Sequence, residues 1–181
     1  MGSEMCIRDR AACDPWSELP LDRYAMAYEA DRPWMVRPEG RPPGAPPADG
    51  LVIERVTDDP GLLEFERCAA VGFGATVPPP HTWHAPSIVA DARFDLWLGR
   101  TAGDAVATAN GLREAGVLGV YGVSTVPVAR RRGIGAAMTA HTVAATPGMP
   151  AVLQPSDMAE PIYRRLGFER FTTFRTWTRR P

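Results

Sequence analysis

The sequence predicts a mixed α/β fold of the α+β kind, with a mostly antiparallel central sheet flanked by helices. Three observations predict it. Strand-like runs at 94–99, 105–112 and 119–126 follow one another with short hairpin-like breaks at 101–104 and 113–116. Helix-like runs at 60–71, 134–145 and 159–166 alternate with strand candidates around that trio. The chain has 181 residues, 45% hydrophobic and 23% charged, enough for one domain with a buried core.

Residues 1–10 show no periodicity and no apolar h-region; they read as a non-native leader and are set aside. Residues 11–50 read as an N-terminal segment. Within it, Ser17 suits an N-cap, Pro20 a first turn, and Leu21, Ala25 and Tyr28 share a helical face, so 17–30 is expected to be a short helix. Trp34, Met35 and Val36 suit a brief strand. From Arg37 to Gly50 proline and glycine dominate, which fits an extended connector and no helix or interior strand.

The main domain is expected over 51–181. Leu51 to Val56 alternates as a strand does. Asp58 or Asp59 can cap a helix entered through Pro60 and stopped at Gly72 or Gly74. Pro78-Pro79-Pro80 breaks what precedes it, so His81 to Pro86 is expected to be a loop or a short turn of helix. After the three central strands comes the helix Ile134 to Ala145, ended by Pro147-Gly148. Ala151 to Gln154 is a short apolar strand. Ala159 to Leu166 is a short helix ended by Gly167. Pro161 lies inside it; an interior proline costs about 3 kcal/mol, so the helix is expected to start late, near Glu160. Phe168 to Trp177 is a last strand, and its aromatic spacing calls for a bulge near Thr172-Thr173.

Charge and cysteine content narrow the function classes. Twenty basic residues, every one arginine, meet 21 acidic ones, for a net charge of -1. That excludes a nucleic-acid binder held by bulk charge. No apolar run reaches the length of a membrane span. Cys6, Cys13 and Cys68 are an odd set without metal-ligand spacing, and His81-Thr-Trp-His84 has no third ligand beside it. No metal is expected, and a reducing cytoplasm is the expected location.

The chemistry concentrates in Ser124-Thr-Val-Pro-Val-Ala-Arg-Arg-Arg-Gly-Ile-Gly135-Ala136. A strand ends, an Arg/Gly turn follows, and a helix begins. The first amides of a helix have no internal acceptor and sit at its positive end, while glycine lets a ligand approach the backbone. Together they suit a pyrophosphate. The turn lacks the Gly-Lys-Ser/Thr ending of a nucleotide-hydrolysing loop.

The stretch Val126-Pro127-x-x-Arg130-x-x-Gly133-Ile134-Gly135 resembles the acetyl-coenzyme A motif of the GNAT acyltransferase superfamily. Ser156-Asp-Met-Ala159-Glu-Pro-Ile-Tyr163-Arg-Arg-Leu-Gly167-Phe168 resembles the distal motif of that family, with Ser156 where asparagine is common. The resemblance covers about residues 51–178. It implies a sheet that splays between the strands near 119–126 and 151–154 to admit a pantetheine arm. It implies an acetyl-coenzyme A site at Thr125, Val126, Val128, Arg131, Arg132, Gly133, Ile134, Gly135, Ala136, Ser156 and Tyr163. The backbone of Val126 would pair with the arm, and the amides from Arg131 to Ala136 would cradle the pyrophosphate. Tyr163 would protonate the leaving thiolate, a role that suits a phenol.

The expected activity is direct acetyl transfer from acetyl-coenzyme A to a primary amine, on a small molecule or a peptide. Glu66, His81, His84 and Glu114 are candidates for the base, with Glu66 and His84 preferred. Asp157 and Ser124 could line the acceptor side. Trp177 on the last strand suits either a homodimer contact or a core role. A domain that binds acyl-coenzyme A without transfer, or one that binds another protein, is the alternative.

Overall fold

The computed structural model describes residues 11–14, 20–40, 43–44 and 48–179. Among the described residues, eight strands form one sheet. They are β1 (Ala11–Asp14), β2 (Met26–Arg37), β3 (Leu51–Arg55), β4 (Phe94–Thr101), β5 (Asp104–Glu114), β6 (Val117–Thr125), β7 (Ala151–Leu153) and β8 (Glu169–Arg179). Their order across the sheet is β1-β8-β2-β7-β6-β5-β4-β3. Every neighbouring pair is antiparallel except β6 with β7. Among the described residues, three α-helices pack on it, α1 (Asp59–Phe73), α2 (Ile134–Ala144) and α3 (Glu160–Arg165).

The elements after residue 50 follow local chemistry. Asp58 caps α1 by accepting the Gly61 amide at 2.9 Å, and Gly74 ends it in the left-handed region (φ 70°). The tight turns at Ala102-Gly103 and Ala115-Gly116 have both central residues at positive φ, matching the twist of the hairpins they close. Pro161 falls in the first turn of α3, where its missing amide costs no helical bond.

The front of the chain departs from the sequence reading. The expected helix at 17–30 is not formed over its described part: a single 3-10 turn at Leu21–Tyr24 leads straight into the twelve-residue strand β2. Ser17 lies outside the described residues. The brief strand expected at 34–36 is the end of β2. The cause is pairing at long range. β2 aligns with β8 from Met26↔Arg179 to Val36↔Glu169, and with β7 from Met35↔Leu153 to Arg37↔Ala151. Pro33 is tolerated because β7 reaches only residues 35–37, so β2 has a partner on one side there. The bulge expected near Thr172-Thr173 sits at Phe171: Trp34 pairs with Thr172 and Met35 with Arg170.

Two apolar clusters hold the sheet. One joins Leu62, Phe65 and Cys68 of α1 to Leu96, Leu98, Val106 and Val126, and reaches Ile134 and Met138 of α2. The other joins Ala140 and Val143 of α2, Tyr163 and neighbouring Leu166 and Phe168, and Met35, Leu118, Val120 and Leu153 of the sheet. α2 and α3 therefore share one face, where Gly111 approaches Thr142. α1 covers the other, where Gly72 packs against Ser124. Among the described residues, no helix is long and apolar enough to cross a membrane.

Candidate active site

The sheet parts between β6 and β7. The two strands share only two aligned pairs, Leu118↔Ala151 and Gly119↔Val152. β7 then ends at Leu153, while β6 runs on to Thr125. A bulge sits in this free stretch. Thr108 pairs with Ser124 and Asn110 with Tyr121, so Ala109 faces two residues, Gly122 and Val123. Gly122 takes φ 59°, and its carbonyl accepts the Thr108 hydroxyl at 2.8 Å.

At the end of the open edge, the chain turns through a 3-10 segment at Pro127–Ala129 into α2. Gly133 is the N-cap in left-handed conformation (φ 76°), and no side chain caps the helix. The Ala137 amide is bonded to Gly133 O at 3.0 Å. The amides of Gly133 to Ala136 precede that first helical bond and are the donors a helix leaves open. A Cβ on Gly135 would meet only Thr125 Oγ1, at 3.7 Å, so the glycine keeps a space beside the open amides. Arg131 and Arg132 are exposed. Arg130 is not available to an anion in the same way: its Nε donates to Thr125 O at 3.1 Å and its Nη2 to Gly72 O at 2.9 Å. It clamps the turn to β6 and α1.

The backbone of Val126 is used inside the protein. Its amide donates to Val106 O at 2.9 Å and its carbonyl accepts from Ala129 at 3.0 Å. The expectation that it pairs with a pantetheine arm therefore does not fit. Strand alternation turns the backbone of Val123 and the amide of Thr125 to the open edge instead, while the Thr125 carbonyl is the one that Arg130 holds. Val123 is absent from the sequence reading because the bulge that sets this parity has no clear sequence mark beyond Gly122. Val128 is 91% exposed, and Ser156 is an exposed turn residue whose carbonyl accepts from Ala159 and Glu160.

Tyr163 is 8% exposed and packs edge-on to Phe168. Burial pushes its phenol above the ordinary tyrosine range, and a hydrogen bond with Thr139 partly opposes that rise. Thr139 in turn donates to Gly135 O at 2.9 Å. The phenol thus lies beside a hydroxyl that is anchored to the turn of α2 carrying the open amides. Sequence reasoning missed Thr139, which carries no motif signal.

The structure brings Glu66 and His84 together. Glu66 is 3% exposed; its Oε2 accepts the His81 amide at 3.0 Å, and its Oε1 accepts the Trp83 and His84 amides at 3.0 and 2.8 Å. His84 Nδ1 lies 3.3 Å from the same Oε1, and its ring meets Phe65 edge-on. His81 turns away, with Nε2 3.4 Å from Asp59. Glu114 sits at the far tip of the β5–β6 hairpin, paired with Arg93 at 3.1 Å. Asp157 is exposed, while Ser124 is buried and meets Thr108 Oγ1 at 2.7 Å. Burial pushes the Cys68 thiol up to about 11, which makes it a poor nucleophile at neutral pH. Trp177 packs against Tyr28 within the β2–β8 pair. Among the described residues, no cluster of three or more His, Cys, Asp or Glu could hold a metal.

No protein-family model and no curated protein matches the chain. Solved structures do. A GCN5-related N-acetyltransferase from Kribbella flavida is similar at 26% identity and TM-score 0.68, over 89% of this chain and 62% of that one. A second, from Sphaerobacter thermophilus, is similar at 21% identity and TM-score 0.64, over 89% and 55%. A GCN5-related N-acetyltransferase-like protein from Streptococcus suis aligns at 14% identity and TM-score 0.60, over 91% and 68%. The chain thus spans less than two thirds of the length of the first two. By these likenesses the chain has the fold of the GCN5-related N-acetyltransferases.

Proposed function

We propose that the chain transfers an acetyl group from acetyl-coenzyme A to a primary amine of a small molecule or peptide. The observation that carries this reading is the pairing of an open β6 edge with the uncapped start of α2. An extended amide-bearing arm can add to a free strand edge, and a pyrophosphate can take the open amides of a helix start. In this reading the amides from Arg131 to Ala136 hold the pyrophosphate and the side chains of Arg131 and Arg132 add positive potential. The backbone of Val123 and the amide of Thr125 pair with the pantetheine, the Thr125 carbonyl being held by Arg130.

The reaction forms a C–N bond and breaks the thioester C–S bond. The electron pair of the C–S bond leaves on sulfur. Tyr163 hands its phenolic proton to that thiolate, and its raised pKa keeps it protonated until then. The amine sheds one proton in the same event. His84 is the proposed base, with its Nδ1–H directed at Glu66 so that Nε2 presents the lone pair. Glu66 orients His84; three backbone amides occupy it, which makes it a poor base of its own.

Calorimetric titration with acetyl-coenzyme A, with free coenzyme A alongside, tests the first half. Saturable micromolar binding is expected. Folded protein that binds neither would overturn the assignment of the α2 turn. Thiol release from bound acetyl-coenzyme A on addition of primary amines tests the second half.

A further inference from the structure

We infer that Asn110 positions the acceptor, its side-chain oxygen receiving an N–H of the amine as the amine approaches the open edge of β6. The inference rests on the acetyltransferase reading and adds the acceptor side to it.

Asn110 Oδ1 is buried and has no hydrogen-bond partner. A buried carbonyl oxygen without a donor is costly, so a native one is normally matched by protein, water or ligand. The residue as a whole is only partly buried, so Oδ1, itself closed to solvent, reaches an amine by a turn of the carboxamide toward the exposed part of the side chain. Its carboxamide lies against the β6 bulge: a Cβ on Gly122 would meet Oδ1 at 3.3 Å. Gly122 holds φ 59°, a conformation most side chains resist, and its missing Cβ leaves that space to the Asn110 carboxamide.

The face is the right one. Gly72 of α1 packs against Ser124, and Ser124 touches Thr108, so these side chains point to the α1 side. Strand alternation turns Asn110 the same way, with Tyr121 opposite it on β6. The opposite face is filled by the cluster of Val120, Leu153, Tyr163 and Phe168. An acceptor therefore reaches the parted strands from the α1 side, which also carries the His84–Glu66 pair. The Tyr121 ring lies over Gly119. Continuing the register Val36↔Val152↔Gly119 by two residues puts Trp34 in the row of Tyr121, across the gap. The row suits an amine carried on an uncharged, flat or apolar body.

During attack the amine nitrogen spends its lone pair on the carbonyl carbon, and its remaining N–H groups need acceptors. Oδ1 supplies one without taking the proton. The Asn110→Leu and Asn110→Asp variants test this, with benzylamine, propylamine and glycinamide as probes. Thiol release is followed at saturating acetyl-coenzyme A, whose Kd is measured beside it. In Asn110→Leu the KM for the amine is expected to rise about tenfold or more, as loss of one buried hydrogen bond implies, with the Kd of acetyl-coenzyme A within about twofold. Asn110→Asp keeps an acceptor oxygen and is expected to stay within about threefold of the parent KM. Unchanged KM in both variants, or an equal rise in both, overturns the inference and leaves acetyl transfer standing. A parent protein that fails to bind acetyl-coenzyme A, or binds it and releases no thiol with any probe, overturns the transferase reading and this inference with it.

Discussion

His84 Nδ1 lies 3.3 Å from Glu66 Oε1, and the same carboxylate accepts the backbone amides of His81, Trp83 and His84. One buried side chain on α1 thus fixes both the path of the following loop and the orientation of its histidine. The two roles separate by substitution. His84→Gln is expected to lower kcat about 100-fold or more, with acetyl-coenzyme A affinity kept, because a positioned base contributes about that much. Glu66→Ala strips three amides and an imidazole of their acceptor and is expected to cost about 3 kcal/mol of stability, read by chemical denaturation. An activity loss in His84→Gln matched by an equal loss of cofactor binding would remove His84 from the chemistry.

Tyr163→Phe keeps the ring that packs on Phe168 and removes only the hydroxyl. The expected result is a fall in kcat of about 100-fold with acetyl-coenzyme A affinity within about threefold of the parent. The pH profile should agree. Burial raises the phenol above its ordinary value, so the protonated acid persists past pH 10 and its loss appears only on the far alkaline side. A parent profile that already falls between pH 7 and 9, with the same fall in Tyr163→Phe, would assign that limb to another group.

Gly135 separates function from stability. It is helical, and a Cβ there touches only Thr125 Oγ1 at 3.7 Å, an ordinary contact. Gly135→Ala should therefore stabilise the protein by roughly 0.5–1 kcal/mol, the usual gain within a helix. It also fills the space beside the open amides, so acetyl-coenzyme A binding should weaken about tenfold. Gly72→Ala is the contrasting case. Its Cβ would collide with Ser124, so that variant should lose stability. A stabler Gly135→Ala protein that binds acetyl-coenzyme A as before would move the pyrophosphate elsewhere.

Most of the fold after residue 50 is legible because its signals are local. Asp58 and Gly74 punctuate α1, two Ala-Gly turns close the hairpins, and Gly133-Ile-Gly135 opens α2. β2 is not legible. Leu21, Ala25 and Tyr28 suggest a helical face, but pairing with β8, some 140 residues along the chain, decides their state. The α2 turn and Tyr163 are readable as motif residues. The choice of Val123 and the Thr125 amide over Val126 is not, because a one-residue bulge at Gly122 reverses which backbone groups face out. Arg130 looks like part of a cationic run; only the fold shows its guanidinium turned to two carbonyls. Asn110 has no motif, and its significance lies in an oxygen left without a donor.

Glu160 anchors the helix that carries Tyr163, and its titration should be visible in stability. Arg170 donates to both of its oxygens at 2.7 Å, and Arg164 adds bonds at 2.8 and 3.0 Å. Hydrogen bonding to Arg170 first, and then to Arg164, brings its carboxyl from 4.5 down to about 2. A carboxylate whose pKa is lower folded than unfolded favours the folded state wherever it is ionised. The contribution is complete above about pH 4.5 and is lost as pH falls toward 2. Glu160→Gln removes it at every pH. The melting temperature of the parent should therefore exceed that of Glu160→Gln at pH 7, and the gap should close on acidification from pH 4.5 to 2. Asp91, held down to about 2 by Arg93, titrates in the same window in both proteins and cancels in the difference. A gap that stays constant across that range would mean that the Arg170–Glu160–Arg164 cluster does not persist in solution.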